Sequence, residues 1–275
     1  MIGAIVGDMV GSIYEFENHK SKEFPLFGEF SAFTDDTLCT IAVADCLIAN
    51  GDPAEYLRRW GLRYEKLGYG NHYRRWLKRD DLGPYGSFGN GAAMRVSPAA
   101  FLATSIDKAR GNAVRVTEVT HNHPEGIKGA LATTDAIWMA FEGAAPEAIR
   151  GHIAQTYYYD MNRSVDSIRP DYEFDESCQG TVPEAIICAL EAIDFEDAIR
   201  NAVSIGGDSD TVACITGSIA EARFGVPQEI ADEAMQRLTE ELRLVVNLMY
   251  ESEIKKLPTG PGLMTTVGDK NGWRR

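Results

Sequence analysis

The sequence predicts an all-α fold, organised as a single compact multi-helix domain. Apolar residues recur at spacings of three and four along most of the chain, whereas the alternation typical of β-strands is almost absent. Prolines stand at many of the predicted helix starts, where a missing N–H removes no hydrogen bond. The predicted domain spans residues 1–256, and a Gly/Pro-rich tail, 257–275, is expected to be loosely structured.

The apolar spacing and the start signals together define about ten helices. Asp52, for example, precedes Pro53 and is followed three residues later by Glu55, a variant of the capping box. The predicted helices span residues 36–49, 53–66, 98–104, 106–119, 124–141, 146–156, 183–193, 195–204, 210–223 and 227–255.

Two stretches do not fit the helical pattern. Residues 67–92 contain six glycines, and residues 157–181 are polar and aromatic without regular spacing. Both are predicted to be long loops. Loops of this length are often functional in a compact domain, and a plain surface loop is an equally good interpretation of each.

Two short acidic turns share one design. Thr34-Asp35-Asp36-Thr37 and Gly206-Gly207-Asp208-Ser209-Asp210-Thr211 each stand directly before a predicted helix. Helix capping explains one acid per turn, but adjacent carboxylates repel and only one or two amides need a side-chain partner. The alternative is that both turns converge on hard cations, which prefer oxygen ligands. Four aspartates would balance two divalent ions, and on the spacing alone capping and metal binding are equally good interpretations. The fold prediction also includes a binuclear metal site in a central cleft, which rests on the resemblance described below.

Three further segments carry candidate functional residues. Gly7–Gly11 reads as a glycine-punctuated buried first helix, which leaves Glu15 either exposed or directed at the metal cluster. The glycine-rich segment 87–95 is either a structural turn or a loop whose amides line a diphosphate. Thr120-His121-Asn122-His123 places two histidines at a helix start, where capping or core hydrogen bonding is the default and ligand contact the alternative.

The net charge and the cysteine content argue against several classes of function and of metal site. With 27 basic and 41 acidic residues, the net charge of −14 argues against general binding to nucleic acids or anionic lipids. Five cysteines without a Cys-x-x-Cys pair indicate reduced thiols rather than disulfides or a zinc site. No secretory signal or membrane-spanning stretch is evident, which predicts a cytoplasmic protein. The basic run 74–79 reads as a solvated helix end or as a phosphate or partner contact.

Taken together and in their order along residues 3–225, the segments described above resemble the ADP-ribosylglycohydrolase family, of the type that includes dinitrogenase-reductase-activating glycohydrolase. The matching blocks are Gly7–Gly11 with Glu15, Thr34–Thr37, Gly89–Arg95, Thr120-His121 with Pro124, and Gly207–Thr211. The resemblance implies an all-α fold with two Mg²⁺ or Mn²⁺ ions, and it leaves the oligomeric state open. One position departs from the pattern, because Thr181 follows Gly180 where many relatives carry an aromatic residue near the substrate.

The resemblance also implies roles for individual residues. Asp35 and Glu15 would be catalytic carboxylates, with Asp35 favoured as the metal-linked acid/base. The metal ligands would be Thr34, Asp35, Asp36, Asp208, Asp210 and Thr211. The substrate cleft would include Ser87, Gly89, Asn90, Gly91, Met94, Arg95 and His121.

These expectations lead to a metal-dependent hydrolase that cleaves the N- or O-glycosidic bond between ADP-ribose and a protein side chain or small conjugate. The transition state would have oxocarbenium character, stabilised by nearby carboxylates. A metal-dependent nucleotide phosphohydrolase is the closest rival, and a non-catalytic ADP-ribose-binding protein is the rival from another class. The sequence does not identify the acceptor.

Overall fold

The computed structural model describes residues 1–252, 258 and 262–264, and this part of the chain forms one helical domain. It contains fifteen α-helices and one short 3₁₀ turn, Ser12–Tyr14. Between the described residues there are two isolated β-bridges and no sheet. The all-α prediction is confirmed. The helices are α1 (Ile2–Gly11), α2 (Asp35–Ala49), α3 (Pro53–Arg63), α4 (Asn71–Leu77), α5 (Gly91–Met94), α6 (Ser97–Phe101), α7 (Ile106–Thr117), α8 (Pro124–Phe141), α9 (Pro146–Tyr157), α10 (Val165–Ile168), α11 (Cys178–Glu191), α12 (Phe195–Ile205), α13 (Ser209–Phe224), α14 (Gln228–Arg237) and α15 (Glu240–Glu251).

The predicted loops were partly wrong. Residues 67–92 contain the helix α4, and residues 157–181 contain α10 and the start of α11. α11 begins at Cys178, five residues before the predicted start, and carries Pro183 in its interior. Two of its first N–H groups have partners outside the helix: the N-cap residue Ser177 accepts from Gly180 through its side chain, and the distant Phe88 carbonyl accepts from Cys178. The contact with Phe88 leaves no local pattern in the sequence.

The predicted helix 227–255 is two helices. α14 ends at Arg237 and α15 begins at Glu240, because Leu238 and Thr239 both adopt extended backbone conformations. Glu240 and Glu241 occupy the first turn of α15, where acids interact favourably with the helix dipole. The end of the predicted helix and most of the predicted tail lie outside the described residues. Of the tail, Met264 donates its N–H to the Val226 carbonyl and is buried.

The core is built around α13. Every residue of this helix from Ser209 to Ala222 is buried, and α1, α8, α11 and α12 all pack against it. α1 is buried along its whole length and makes its most extensive contacts with α13. Glycines permit this approach: a Cβ on Gly7 would lie 1.9 Å from the Ala213 carbonyl oxygen. The ends of α1 and α13 are therefore held together as one unit.

The start of α1 is capped from α13 and α15. The Glu221 carboxylate accepts from the Met1 amino group at 2.6 Å and from the Gly3 N–H at 2.8 Å. The Tyr250 hydroxyl accepts from the Ile2 N–H at 2.9 Å and donates to Glu221. These contacts satisfy N–H groups that the first turn of a helix leaves unpaired. They fix the position of α1 along α13.

Two further expectations concern cysteines and membranes. All five cysteines are buried and unpaired, as the sequence predicts. Among the described residues, no helix combines the length and the apolar character that crossing a bilayer requires.

Candidate active site

The two acidic turns meet at one cleft of about 530 Å³. Asp35 and Asp36 begin α2, Asp208 and Asp210 begin α13, and Glu15 follows the 3₁₀ turn after α1. All five carboxylates line the cleft. Thr211 and all the predicted substrate-binding residues line it as well, namely Ser87, Gly89, Asn90, Gly91, Met94, Arg95 and His121.

The carboxylates are close enough to share a cation. One oxygen atom from each of Glu15, Asp208 and Asp210 lies within 4.8 Å of the other two. Asp36 is 3% exposed, and its Oδ2 atom is buried without a hydrogen-bond partner. A buried carboxylate oxygen without a partner is costly, and a cation in the cleft would compensate for it.

Burial and mutual repulsion raise the pKa values of these acids. Burial, followed by the charges of neighbouring aspartates, raises the pKa of Asp36 and of Asp210 well above the usual range. Burial and the charge of Asp8 raise the pKa of Asp35 to about 7, against the opposing charge of Arg74. Burial and the charge of Asp208 raise the pKa of Glu15 to about 7. Arg74 and Arg95 line the cleft as well, but its lining carries more acidic than basic side chains.

Thr34 is the one predicted site residue that does not line the cleft. Its hydroxyl donates to Asp8 Oδ1 at 2.7 Å and accepts from the Asp36 N–H at 3.2 Å. Asp8 also accepts from the N–H groups of Thr34 and Thr37, at 2.9 and 3.0 Å. Because the Thr34 proton is donated to Asp8, an oxygen lone pair remains for a further donor or a cation.

Asp8 is a site residue that the sequence interpretation missed. It is fully buried on α1 and caps the first turn of α2, which joins the two helices beside the cleft. The available signal was an isolated acid inside an otherwise apolar helix. Such a residue is rarely buried unless its oxygens are satisfied.

The close packing of α1 on α13 brings Glu15 to the aspartates. A Cβ on Gly11 would lie 2.4 Å from the Ser209 carbonyl oxygen and 2.5 Å from the Asp210 Cα. Glu15 is therefore half-buried in the acidic cluster, which corresponds to the second of the two interpretations of this segment.

A glycine turn orients Asp208. Gly206 and Gly207 both have φ of +74°, a backbone conformation that favours glycine. The Asn18 side chain stabilises this turn with two hydrogen bonds: its Oδ1 accepts from the Gly207 N–H at 2.8 Å, and its Nδ2 donates to the Gly207 carbonyl at 2.9 Å. Asn18 is a second residue that the sequence interpretation missed.

A second wall of the cleft, beside the acids, is built from the glycine loop and His121. Asn90 donates to Asp208 Oδ2 at 2.7 Å and to the Thr181 hydroxyl at 3.1 Å, and Thr181 in turn donates to the Asp175 carbonyl. Thr181 is fully buried and does not line the cleft, so it supports Asn90 from behind. The position at which the sequence departs from the resemblance, Thr181, therefore holds a residue that orients a loop side chain.

Arg95 and His121 form a buried pair beneath this loop. Arg95 donates to the Thr120 hydroxyl at 2.6 Å and to the Val116 carbonyl at the end of α7. Burial and the Arg95 charge lower the pKa of His121 well below its usual value, so the ring is neutral. With Nδ1 facing the Thr120 hydroxyl and Arg95, Nε2 carries the proton and points at Gly91, where a Cβ would lie 3.1 Å away.

A third wall comes from residues 68–74, before and within α4. Tyr69, His72, Tyr73 and Arg74 line the cleft here. The sequence indicates no site residue in 68–74, although it does indicate Ser87, Gly89, Asn90 and Gly91 later in the same predicted loop. Of the basic run 74–79, Arg74 is the member that lines the cleft.

Without divalent metal, we expect the free energy of unfolding to fall as the pH rises from about 4 to about 7. The pKa values of Asp35 and Glu15 are about 7 in the folded protein, whereas unfolded carboxyl groups titrate near 4. The folded state therefore binds more protons in this window and loses stability as they leave. Urea unfolding in chelator at several pH values measures the slope, which should be smaller in Glu15→Gln. A metal-free protein that grows more stable across the window in both forms would contradict this expectation.

Comparison with known proteins identifies a matching family and several proteins of similar sequence. Residues 1–258 match the family described as ADP-ribosylglycohydrolase. The chain is 25% identical to ADP-ribosylhydrolase ARH3 of Bos taurus, over 83% of this chain and 84% of that protein. It is 27% identical to ADP-ribosyl-[dinitrogen reductase] glycohydrolase of Rhodospirillum rubrum, over 82% of this chain and 84% of that protein.

A third relative and a solved structure extend these matches. ADP-ribosylarginine hydrolase Tri1 of Pseudomonas putida (strain GB-1) is 26% identical, over 88% of this chain and 76% of that protein. A solved structure of an ADP-ribosylglycohydrolase-related protein complex superposes with a TM-score of 0.68 at 23% identity, covering 91% of this chain and 96% of that one. The superposition shows a shared fold.

Proposed function

The chain belongs to the ADP-ribosylglycohydrolase family of enzymes, and on that premise we propose that it hydrolyses the glycosidic bond between ADP-ribose and an acceptor. The observation that carries the proposal is the convergence of five carboxylates from three helix ends on one cleft, which a glycine loop also lines. The expected products are free ADP-ribose and the unmodified acceptor. An ADP-ribosylated protein side chain or small conjugate is the substrate class, and a cytoplasmic location remains a prediction from the sequence.

The acidic face fits hard divalent cations. Its donors are carboxylate and hydroxyl oxygens, the Asp36 Oδ2 atom lacks a protein partner, and the acids raise one another's pKa. We propose that Thr34, Asp35, Asp36, Asp208, Asp210 and Thr211 hold two Mg²⁺ or Mn²⁺ ions. The six residues are those that the resemblance implies, and the charge of the four aspartates would balance two divalent ions. When bound, such ions polarise sugar oxygens and lower the pKa of coordinated water.

The chain's own residues would bind and orient the substrate. The glycine loop at Gly89–Gly91 lines the cleft and is our candidate for contacting a phosphate group, with the neutral His121 packed against Gly91. Asn90 holds Asp208 in place through its amide group. Fixing the ribose against the loop and the neighbouring acids would bring the scissile bond to the carboxylates, an orientation effect.

Asp35 and Glu15 are the candidate acid/base groups. Both line the cleft, and their pKa values of about 7 in the metal-free protein lie close to neutral pH. Hydrolysis requires one carboxylate to remove a proton from the attacking water and a group to protonate the departing acceptor atom. We assign removal of the proton from water to Asp35 and protonation of the departing acceptor atom to Glu15. Once ionised, Glu15 would also stabilise the positive charge that develops on the ribose.

The test is a panel of arginine-, serine- and base-linked ADP-ribose conjugates, analysed by mass spectrometry with Mg²⁺ or with chelator. We expect release of ADP-ribose from at least one conjugate in Mg²⁺ and none in chelator. Release of AMP or phosphate instead would indicate a phosphohydrolase. Binding of ADP-ribose without turnover of any conjugate would indicate a binding protein.

A further inference from the structure

The charge of the cleft opposes entry of the proposed substrate. Every conjugate of ADP-ribose carries a negatively charged diphosphate, and like charges at close range repel. Bound divalent ions would offset much of the acidic charge, and a cation of the protein that can reach the diphosphate would favour binding further. Six carboxylates line the cleft, namely Glu15, Asp35, Asp36, Glu176, Asp208 and Asp210.

Two arginines line the same cleft, and they differ in accessibility. Arg95 is 1% exposed, and its guanidinium group is engaged beneath the glycine loop, where it donates to the Thr120 hydroxyl and the Val116 carbonyl. Arg74 is exposed, and within the described part of the chain its guanidinium group forms no salt bridge and no hydrogen bond. Of the two guanidinium groups, the one at Arg74 is therefore available to a ligand.

The short helix α4 holds Arg74 at the third wall. Tyr73 and Trp76 anchor the helix: both are buried, and their rings stack with centroids 5.6 Å apart. The Arg58 guanidinium group covers the Trp76 ring at 3.9 Å. Arg74 lies close enough to Asp35 for its charge to oppose the rise in pKa that burial causes there. The buried side of α4 thus fixes the helix, and Arg74 lies at the cleft near the candidate acid/base.

The diphosphate and the glycosidic bond belong to the same ribose, one at its exocyclic carbon and the other at its anomeric carbon. Because the proposed function places the glycosidic bond at Asp35, a cation near Asp35 is within one sugar of the diphosphate. The planar guanidinium group presents paired N–H donors that match phosphate oxygens. We propose that Arg74 binds the diphosphate of ADP-ribose, which makes it a substrate-binding residue. The inference rests on the proposed function and adds a charged contact to the candidate phosphate loop.

This assignment also selects between two interpretations of the basic run 74–79, a solvated helix end or a phosphate contact. The acceptor is attached to the same ribose, but the diphosphate is the anion that every substrate of the proposed class carries. Arg74 would therefore contribute to binding whichever acceptor is attached.

Arg75 provides a matched control. It is the next residue of α4, it is exposed as well, and it does not line the cleft. In the described residues its side chain likewise has no salt bridge and no hydrogen bond. Arg75→Ala therefore changes the net charge by the same amount, on the same helix, without removing the proposed contact. Because alanine is a good helix former, Arg74→Ala and Arg75→Ala should both keep the wild-type melting temperature.

The experiment measures ADP-ribose affinity by calorimetry in Mg²⁺, at low and at high salt, for wild type, Arg74→Ala, Arg74→Lys and Arg75→Ala. We expect Arg74→Ala to weaken binding about tenfold at low salt, and Arg75→Ala to stay within about twofold of wild type. Arg74→Lys should recover part of the loss, because lysine keeps the charge without the paired donors. The difference between Arg74→Ala and wild type should shrink at high salt, which screens exposed charges.

Three results would overturn the inference alone. The first is wild-type affinity in Arg74→Ala, and the second is an equal loss of affinity in Arg74→Ala and Arg75→Ala. The third is a lower kcat in the conjugate assay with unaltered ADP-ribose affinity, which would mean that Arg74 acts only through Asp35. A wild-type protein that does not bind ADP-ribose at all would contradict the proposed function, and the inference with it.

Discussion

Asp36→Asn is expected to abolish turnover and to stabilise the metal-free protein. In the absence of a cation, burial and the charges of neighbouring aspartates raise the pKa of Asp36 well above that of an unfolded aspartate, so folding near neutral pH requires Asp36 to take up a proton. A neutral amide of the same shape removes that cost, and each pKa unit corresponds to about 1.4 kcal/mol. The same change removes a proposed metal ligand and should cost at least about 100-fold in metal affinity. Chemical denaturation in chelator, metal titration and the conjugate assay measure the three effects.

The matched control for this substitution is Asp80→Asn. The Asp80 side chain is 96% exposed, so the same change of charge and shape should alter neither stability nor turnover measurably. Metal-dependent turnover at the wild-type level in Asp36→Asn would show that Asp36 is not a ligand. A metal-free variant less stable than wild type would show that the acidic face is not under electrostatic strain.

Gly7→Ala should destabilise the protein by about 3 kcal/mol or more, which would lower the melting temperature by roughly 6–12 °C. The added Cβ would lie 1.9 Å from the Ala213 carbonyl oxygen and 2.3 Å from its carbonyl carbon. Both atoms belong to the backbone of α13, so they cannot rotate away, and the two helices must separate. Because α1 and α13 position Glu15, Asp208 and Asp210, turnover should fall as well. Thermal unfolding together with the conjugate assay measures both effects.

Gly151→Ala is the control for glycine replacement in a helix. No heavy atom within 4 Å opposes a Cβ at Gly151, on α9. Alanine is the better helix former, so this variant should gain about 0.5–1 kcal/mol. Opposite signs for the two substitutions are the expected outcome. A Gly7→Ala protein as stable as Gly151→Ala would mean that α1 and α13 are not in backbone contact.

The sequence predicted those features that are encoded locally. Pro53, Pro124 and Pro146 lie at the first position of helices, as their chemistry favours, and the acids before α2 and α13 are visible as short motifs. Convergence of the two acidic turns could only be hypothesised, because it depends on the packing of α1 against α13. The roles of Asp8 and Asn18 could not be predicted either. Each depends on a partner that is distant in sequence: the start of α2 for Asp8 and the glycine turn at Gly206-Gly207 for Asn18.

The division of the acidic face between helices has a consequence for biosynthesis. Asp35 and Asp36 leave the ribosome early, whereas Asp208 and Asp210 belong to a helix near the other end of the chain. A nascent polypeptide that ends before α13 therefore contains only part of the cation-binding group and lacks the central helix on which α1 packs. Under the proposed ligand assignment, ion uptake is a late event that follows translation of α13, and it cannot nucleate folding of the amino-terminal half.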